Sequence, residues 1–307
     1  MSRSVEETVE GIRSMRVRGA AAIGVAAAKA LADHVKTLDG NPASVLKGAR
    51  KAARLLDAAR PTAVSLHNAL GWVLAGIEVE GTVSAMRKGA RDAANLVSTE
   101  IKASRAAIAQ HGIRLLKGAD LVLTHCNSST VVALLETAAA GGETFEVIAT
   151  ETRPFGQGLL TLKALQGAGI QSALVVDSAV EHMLATRDID LVLVGGDTVA
   201  RDGSLFNKIG TAGVAALAEL HDVPFYAAVG LHKFTRRSAD EVVIEERPAA
   251  EVVAPNLVPR GARVFNPVFD RTPPGRLAAY VTEQGLATPR KAIQRNLGLL
   301  PPEAVWG

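Results

Sequence analysis

The strongest constraint on this chain is a change of texture near residue 118. Before it, apolar residues recur at helical spacing through Ala-rich stretches with few β-branched runs. After it, short apolar runs of strand length alternate with helical patterns. The first part predicts helices over Val5–Met15, Ala21–Val35, Ala43–Ala59, Ala63–Gly76 and a long stretch from Thr82 to Leu116. Pro42 and Pro61 stand where helices begin, and Gly89 and Gly112 weaken the last stretch as one rod. The second part predicts strands over Leu121–Thr124, Val147–Thr150, Ala173–Val176, Leu191–Val194 and Pro224–Val229. Between them run helices over Ser129–Ala140, Leu159–Ala168, Ala179–Ala185 and Ile209–Leu220. Strand and helix in alternation dictate a parallel sheet with helices on both faces. The expected fold is α/β: a helical N-terminal domain over 1–117, then a Rossmann-like parallel-sheet domain over 118–307. The Pro-rich tail from Glu246 to Arg276 is expected to be irregular, ending in a strand near Ala278–Thr282.

Composition narrows the function classes. The chain has 307 residues, with Lys+Arg 34 against Asp+Glu 31 and no basic block, so nucleic acid is not the expected partner. One Cys forms no internal disulfide, which favours a reducing compartment. No apolar run approaches the roughly 20 residues of a membrane span. The opening MSRSVEETVE is charged and has no apolar signal core. The expectation is a cytoplasmic protein with no membrane partner.

Cofactor signatures are missing. No G-x-G-x-x-G follows a strand, no Gly-Lys dipeptide marks a P-loop, and C-x-x-C, H-E-x-x-H and G-x-S-x-G are absent. The seven His do not fall at metal-ligand spacing, so no metal and no cofactor are expected. Attention then passes to the carboxyl ends of the strands, where open α/β sheets place their ligands.

The first strand ends in Thr124-His-Cys126-Asn-Ser-Ser-Thr130, with a helix to follow. A Cys between a strand end and a helix N-terminus is placed for a lowered pKa and a usable thiolate. Ser128, Ser129 and Thr130 set hydroxyls and free N–H groups at the helix start, an anion site. A buried inert Cys with Ser/Thr caps explains the same residues. Glu151 and Arg153, after the second strand, are expected to pair, with Arg153 also able to face an anion. The fourth strand ends in Gly195-Gly196-Asp197, a frequent placement for a catalytic carboxylate; a turn cap is the plainer alternative. Asn207 and Lys208 are expected to open the next helix and to suit a phosphate or sugar hydroxyl. An ordinary N-cap with a surface Lys reads equally well there. In the first half, Arg18, Gly19, Ala20 and Ala21 join two helices, and Arg60 precedes Pro61 at another helix start. An Arg beside a helix N-terminus again suits phosphate, although close helix packing accounts for the small residues, Gly24 included. Lys233, after a strand end, would by itself be a surface Lys. A thiol, a carboxylate and several anion positions without a cofactor suit proton abstraction beside a latent carbonyl, as in aldose–ketose isomerisation of a sugar phosphate.

These segments resemble a known superfamily. RGAAAIG (18–24), RPTAVSL (60–66), THCNS (124–128), ETRP..QG (151–158), VVDSA (175–179), GGD (195–197), NKIGT (207–211), NPVFDRTPP (266–274) and VTEQG (281–285) occur in this order across nearly the whole chain. They are similar to the alpha, beta and delta subunits of initiation factor 2B. That family also holds two sugar-phosphate isomerases, acting on ribose 1,5-bisphosphate and on methylthioribose 1-phosphate. The resemblance implies a catalytic pair at Cys126 and Asp197. It implies substrate contacts at Arg18, Gly19, Ala20, Ala21, Arg60, Ser128, Ser129, Thr130, Asn207, Lys208 and Lys233, with the site in a cleft between the two domains. SMRVRGA, RPTAVSLHNAL and Lys233-Phe234 resemble the bisphosphate branch, whereas HCNS and AAAIG lean to the methylthioribose branch. Gly196 departs from the Ala usual before the Asp. The resemblance further implies a homo-oligomer, dimer or hexamer, and leaves a non-catalytic regulatory protein as the alternative of another class.

Overall fold

A computed structural model describes residues 1–17, 19–78 and 81–307. The chain divides into two compact units. The first holds Met1–Ala103, Leu231–Thr235 and Asn296–Gly307; the second holds Ser104–Gly230 and Arg236–Arg295. Residues 104–117 thus pack with the sheet, and two later segments pack with the helices.

The first unit is built on α1 (Arg3–Arg13), α2 (Ala20–Lys36), α3 (Pro42–Asp57), α4 (Val64–Glu78) and the N-terminal part of α5 (Val83–Gly112). Each expected helix is present. Pro42 occupies the first turn of α3, and the Asn41 side chain caps it by accepting from Ser44 N–H. Gly89 does not interrupt α5, whereas Gly112 is its last residue and a short 3₁₀ turn, Ile113–Leu115, follows. Small residues let these helices approach: Ala27, Ala28, Ala49, Ala52, Ala53, Ala69 and Ala90 are fully buried among Leu31, Leu56, Leu70 and Leu74. A Cβ on Gly24 would lie 3.0 Å from the Ser65 carbonyl oxygen, so helix packing accounts for that glycine.

The second unit carries a seven-stranded sheet. Its strands are β1 (Leu121–Thr124), β2 (Glu146–Thr150), β3 (Gln171–Val175), β4 (Leu191–Val194), β7 (Phe225–Ala228), β9 (Ala279–Thr282) and β10 (Gly285–Ala287). The order is β10-β9-β7-β4-β1-β2-β3, parallel except for the β9–β10 hairpin. Helices α6 (Ser129–Ala140), α7 (Gly158–Gly167), α8 (Val180–Thr186) and α9 (Thr211–Leu220) join the strands, and α10 (Pro289–Asn296) follows β10. β1 and β4 are all but wholly buried Val/Leu runs, as parallel strands covered on both faces must be. The fold class read from the sequence is the one observed.

A second sheet was not foreseen. β5 (Thr198–Val199), β6 (Leu205–Lys208) and β8 (Phe269–Thr272) form an antiparallel three-stranded sheet. Asn207 and Lys208 therefore end a strand rather than open a helix. Gly210, at φ 103°, turns the chain, and α9 begins only at Thr211. The tail is likewise not wholly irregular, because Phe269–Thr272 finds Leu205–Lys208 as a partner.

Strand order reverses at β1: β2 and β3 lie to one side, β4 and β7 to the other. At such a switch point the loops leaving neighbouring strands diverge and open a crevice at the strand carboxyl ends. The crevice at β1 and β4 is the place set by topology for a ligand.

Candidate active site

The loop after β1 carries Cys126 and the loop after β4 carries Asp197. The two strand ends are tied by the Thr124 hydroxyl, which donates to the Leu193 carbonyl at 2.7 Å. Gly195 allows the loops to close up, since a Cβ there would sit 2.5 Å from Ser128 Oγ. Asp197 is half-buried; its backbone N–H donates to the Phe206 carbonyl, and its carboxylate makes no hydrogen bond among the described residues. The turn-cap reading of Asp197 therefore has no bond to support it.

Cys126 is half-buried in a left-handed backbone, φ 67°. A non-glycine residue there is uncommon, and several bonds hold it. Its N–H donates to Thr152 Oγ1 at 2.9 Å, its carbonyl accepts from Thr161 Oγ1 at 3.0 Å, and its thiol faces Gln157 Oε1 at 3.5 Å. Thr152, itself at φ 60°, is fixed from the other side by Asp177. The Asp177 carboxylate accepts from the N–H groups of Thr152 and Arg153, both at 2.8 Å.

The thiol is not the ready thiolate expected from its place before a helix. Burial, joined by the weaker influence of the Asp197 and Asp177 carboxylates, pushes the Cys126 pKa up to about 11. Lys208 and a backbone hydrogen bond from Asn127 pull the other way without overcoming desolvation. The helix reading omitted this burial, and Cys126 rests as a thiol at neutral pH.

Ser128 is the N-cap of α6, its hydroxyl accepting from Val131 N–H at 3.4 Å. Ser129 and Thr130 follow in the first turn, whose N–H groups have no intrahelical acceptors. Asn207 is buried and donates from Nδ2 to Thr211 Oγ1 at 2.9 Å. Lys208 is half-buried, its ammonium 5.4 Å from the centre of the Phe269 ring. The N-terminus of α9 is already filled: the Asp270 carboxylate accepts from Gly210 N–H at 2.7 Å and Ala212 N–H at 3.0 Å. That helix start holds a carboxylate from β8, not a vacant phosphate cradle. Burial raises Asp270 to about 6 in spite of those donors.

Two further expectations are corrected. Glu151 and Arg153 make no ion pair; the Arg153 guanidinium donates to the Val252 carbonyl at 2.7 Å. Lys233 is not a surface residue but 9% exposed, in the short turn Leu231–Lys233. That turn is fastened to α4 by Asn68, whose Nδ2 donates to the carbonyls of His232 and Phe234. Its neighbour Phe234 is fully buried there.

Lys233 belongs to the helical unit, as do Gly19, Ala20, Ala21 and Arg60. Gly19, at φ 87°, precedes α2, and the Ser65 hydroxyl donates to the Ala20 carbonyl at 2.8 Å. Arg60 is half-buried before α4. Arg18 lies outside the described residues. In the sheet unit Cys126, Asp197, Ser128 and Lys208 come together, with Lys208 and Asp197 both acting on the Cys126 thiol. Sequence reasoning passed over His125, Thr150, Thr152, Gln157, Asp177 and Asp270. All but Thr150 stood inside the recurring segments, but nothing local shows which distant group each one meets. Among the described residues, no three His, Cys, Asp or Glu side chains gather in a metal-binding cluster.

A thiol and a carboxylate at the switch point of a Rossmann-like sheet, preceded by a helical region, define the class. The sequence matches the Initiation factor 2 subunit family over residues 16–289, and the chain belongs to that family. It is 38% identical over 305 residues to ribose 1,5-bisphosphate isomerase of Methanocaldococcus jannaschii, covering 98% of this chain and 93% of that protein. It is 37% identical over 313 residues to methylthioribose-1-phosphate isomerase of Desulforudis audaxviator, covering 96% and 90%. Among solved structures, the translation initiation factor eIF-2B of Pyrococcus horikoshii OT3 superposes with a TM-score of 0.82 at 25% identity, covering 96% of this chain and 100% of that one. With its curated relatives, the chain is an isomerase of this family.

Proposed function

We propose that this isomerase acts on a sugar phosphate and converts α-D-ribose 1,5-bisphosphate to D-ribulose 1,5-bisphosphate. The observation that carries the reading is the Cys126 thiol set within electrostatic reach of both a carboxylate, Asp197, and a cation, Lys208. The extent of identity to a ribose 1,5-bisphosphate isomerase supports the choice of substrate. Methylthioribose 1-phosphate is the second reading, favoured by an almost equal identity to an enzyme of that name.

The raised thiol sets the order of proton steps. Cys126 starts as a thiol and yields its proton, by way of Asp197, to the ring oxygen as the C1–ring-oxygen bond breaks. The thiolate so formed removes the C2 proton, giving an enol that keeps the C1 phosphate. The same proton returns to C1 while Asp197 takes the O2 proton, leaving the ketone at C2. Asp197 then returns that proton to the thiolate, so the enzyme ends as it began. Lys208 lowers the thiol and eases its ionisation in the first step. Lys208, with Ser128, Ser129, Thr130 and Asn207, would hold one phosphate; Arg18, Gly19, Ala20, Ala21, Arg60 and Lys233 supply anchors for the other. The thiomethyl group of the rival substrate needs an apolar pocket in place of the second set.

We further propose a homo-oligomeric, cytoplasmic enzyme. The edge strand β3 and its surroundings leave Phe155, Leu159, Leu160, Leu174 and Val176 exposed, an apolar surface suited to a second copy. Among the described residues no helix is long and apolar enough to cross a membrane.

The test is turnover followed by NMR with ribose 1,5-bisphosphate and methylthioribose 1-phosphate in parallel. Ketose from the bisphosphate alone is expected. Ketose from the methylthio sugar alone moves the assignment to that substrate. No ketose from either, with tight binding of one, favours a regulatory protein.

A further inference from the structure

We propose that His125 is a positioning residue that fixes Cys126 and the Lys208 turn relative to each other through an ordered hydrogen-bond chain. The proposal rests on the reading of Cys126 as the proton-transfer group.

His125 immediately precedes Cys126 and is 2% exposed, so its ring has work other than meeting solvent. Its Nε2 lies 2.9 Å from the Ile209 carbonyl, which only accepts, so Nε2 carries the proton. Its Nδ1 lies 2.6 Å from Thr150 Oγ1 and must therefore accept from that hydroxyl. Burial lowers the His125 pKa and keeps the ring neutral, which preserves this tautomer. Thr150 has one proton, already given to His125, so its side-chain oxygen only accepts from Thr152, whose hydroxyl has that oxygen at 3.2 Å and the Thr150 carbonyl at 3.3 Å as its two acceptors. Thr152 Oγ1 in turn accepts the Cys126 N–H. The imidazole tautomer fixes the direction of the His125–Thr150 bond, Thr152 donates back to Thr150 through whichever of the two oxygens takes its proton, and the chain ends on the amide of the residue held at φ 67°.

The other end of the ring is as tightly placed. Ile209 stands between Lys208 and Gly210, and a Cβ on Gly210 would lie 2.9 Å from His125 Cε1. Only glycine lets this turn come so near the ring. His125 thus touches the turn after β6 on one side and, through two hydroxyls from β2 and its following loop, steadies Cys126 on the other. Lys208 and the Cys126 thiol act on each other from positions that this one ring spaces. A candidate base whose proton exchange depends on a nearby cation is sensitive to such spacing, since small misplacements weaken preorganised electrostatics.

Cys126 is the one cysteine in the chain, so alkylation by iodoacetamide reads that thiol alone. The variants are Thr150→Val, which keeps the shape and removes the hydroxyl, Thr150→Ser, which restores it, and His125→Gln, which keeps an N–H toward Ile209. In Thr150→Val the loop loosens, the thiol loses part of its burial, and alkylation at pH 8 is expected to rise about tenfold, one pKa unit of added thiolate. Its kcat should fall by about 10–100-fold with KM within about twofold, because a preorganised arrangement is lost rather than a substrate contact. Thr150→Ser should stay near the parent in both readouts. A Thr150→Val alkylation rate that is unchanged or slower overturns the proposal, as does equal behaviour of the Val and Ser variants. Should Thr150→Val fail to fold by circular dichroism, His125→Gln takes its place under the same criteria. Alkylation needs no substrate, so a failure of the isomerase assignment shows as absent turnover and leaves the alkylation rates to decide the positioning role alone.

Discussion

The helical unit and the sheet unit solve their packing in opposite ways. In the first, fully buried Ala residues and Gly24 bring helices together through apolar contact. In the second, apolar strands lead to carboxyl ends where buried Thr and His groups satisfy one another in chains. Apolar packing tolerates small adjustments, because many weak contacts share the load. A directional polar chain does not, because each member has a fixed number of protons to give. The lesson is that chemistry sits where single residues are hard to replace.

One methyl group added in each unit separates the two modes of packing most strongly. A Cβ on Gly158 would lie 1.8 Å from the Thr150 carbonyl oxygen, a backbone clash with no room to relax. Gly158→Ala should cost more than about 4 kcal/mol and yield little folded protein. In the helical unit Gly24→Ala meets Ser65 O at 3.0 Å and regains helix propensity, so its net cost should stay within about 2 kcal/mol. Urea unfolding of both decides; equal losses would erase the distinction.

Next in size is Cys126→Ser. If the thiol is the proton-transfer group, kcat should fall about a thousandfold or more while calorimetry shows substrate binding within a few-fold. A near-parental rate would remove Cys126 from the chemistry.

The smallest effect concerns Asp270, which caps α9 while its pKa is raised to about 6 by burial. A carboxyl with a raised folded-state pKa binds its proton more tightly in the native protein. Its contribution is therefore full below about 4 and is lost as pH rises through about 6. Asp270→Asn keeps a cap acceptor without the charge, so it should be worth about 1–2 kcal/mol more relative to the parent at pH 7 than at pH 4. Thermal unfolding at the two pH values measures the difference, and a constant gap would remove the role of ionised Asp270.

How much of the site was legible depended on distance along the chain. Cys126, Asp197 and Ser128 were readable because a strand end followed by Gly or Ser is a local signal. Taken alone, Lys233 reads as a surface residue, because the turn that carries it is fastened by Asn68 on α4, remote in sequence. Asn207 and Lys208 were read into a helix because the partner that makes them a strand, Phe269–Thr272, is likewise remote. The role of Asp270 was invisible for the same reason: its Gly210 partner is 60 residues away.

Local pattern marked the five helices of the first unit, helices at α6–α9 and the strands β1, β2, β3, β4, β7 and β9, but not β10 or α10. Those choices depend on side-chain periodicity and on Gly and Pro within a few residues. Only the tertiary structure decided the second sheet, the cap on α9, the burial that keeps Cys126 a thiol, and the bond from His125 to a carbonyl 84 residues away. Burial and hydrogen-bond direction are properties of neighbours in space, and a folded chain draws those neighbours from distant parts of its own length.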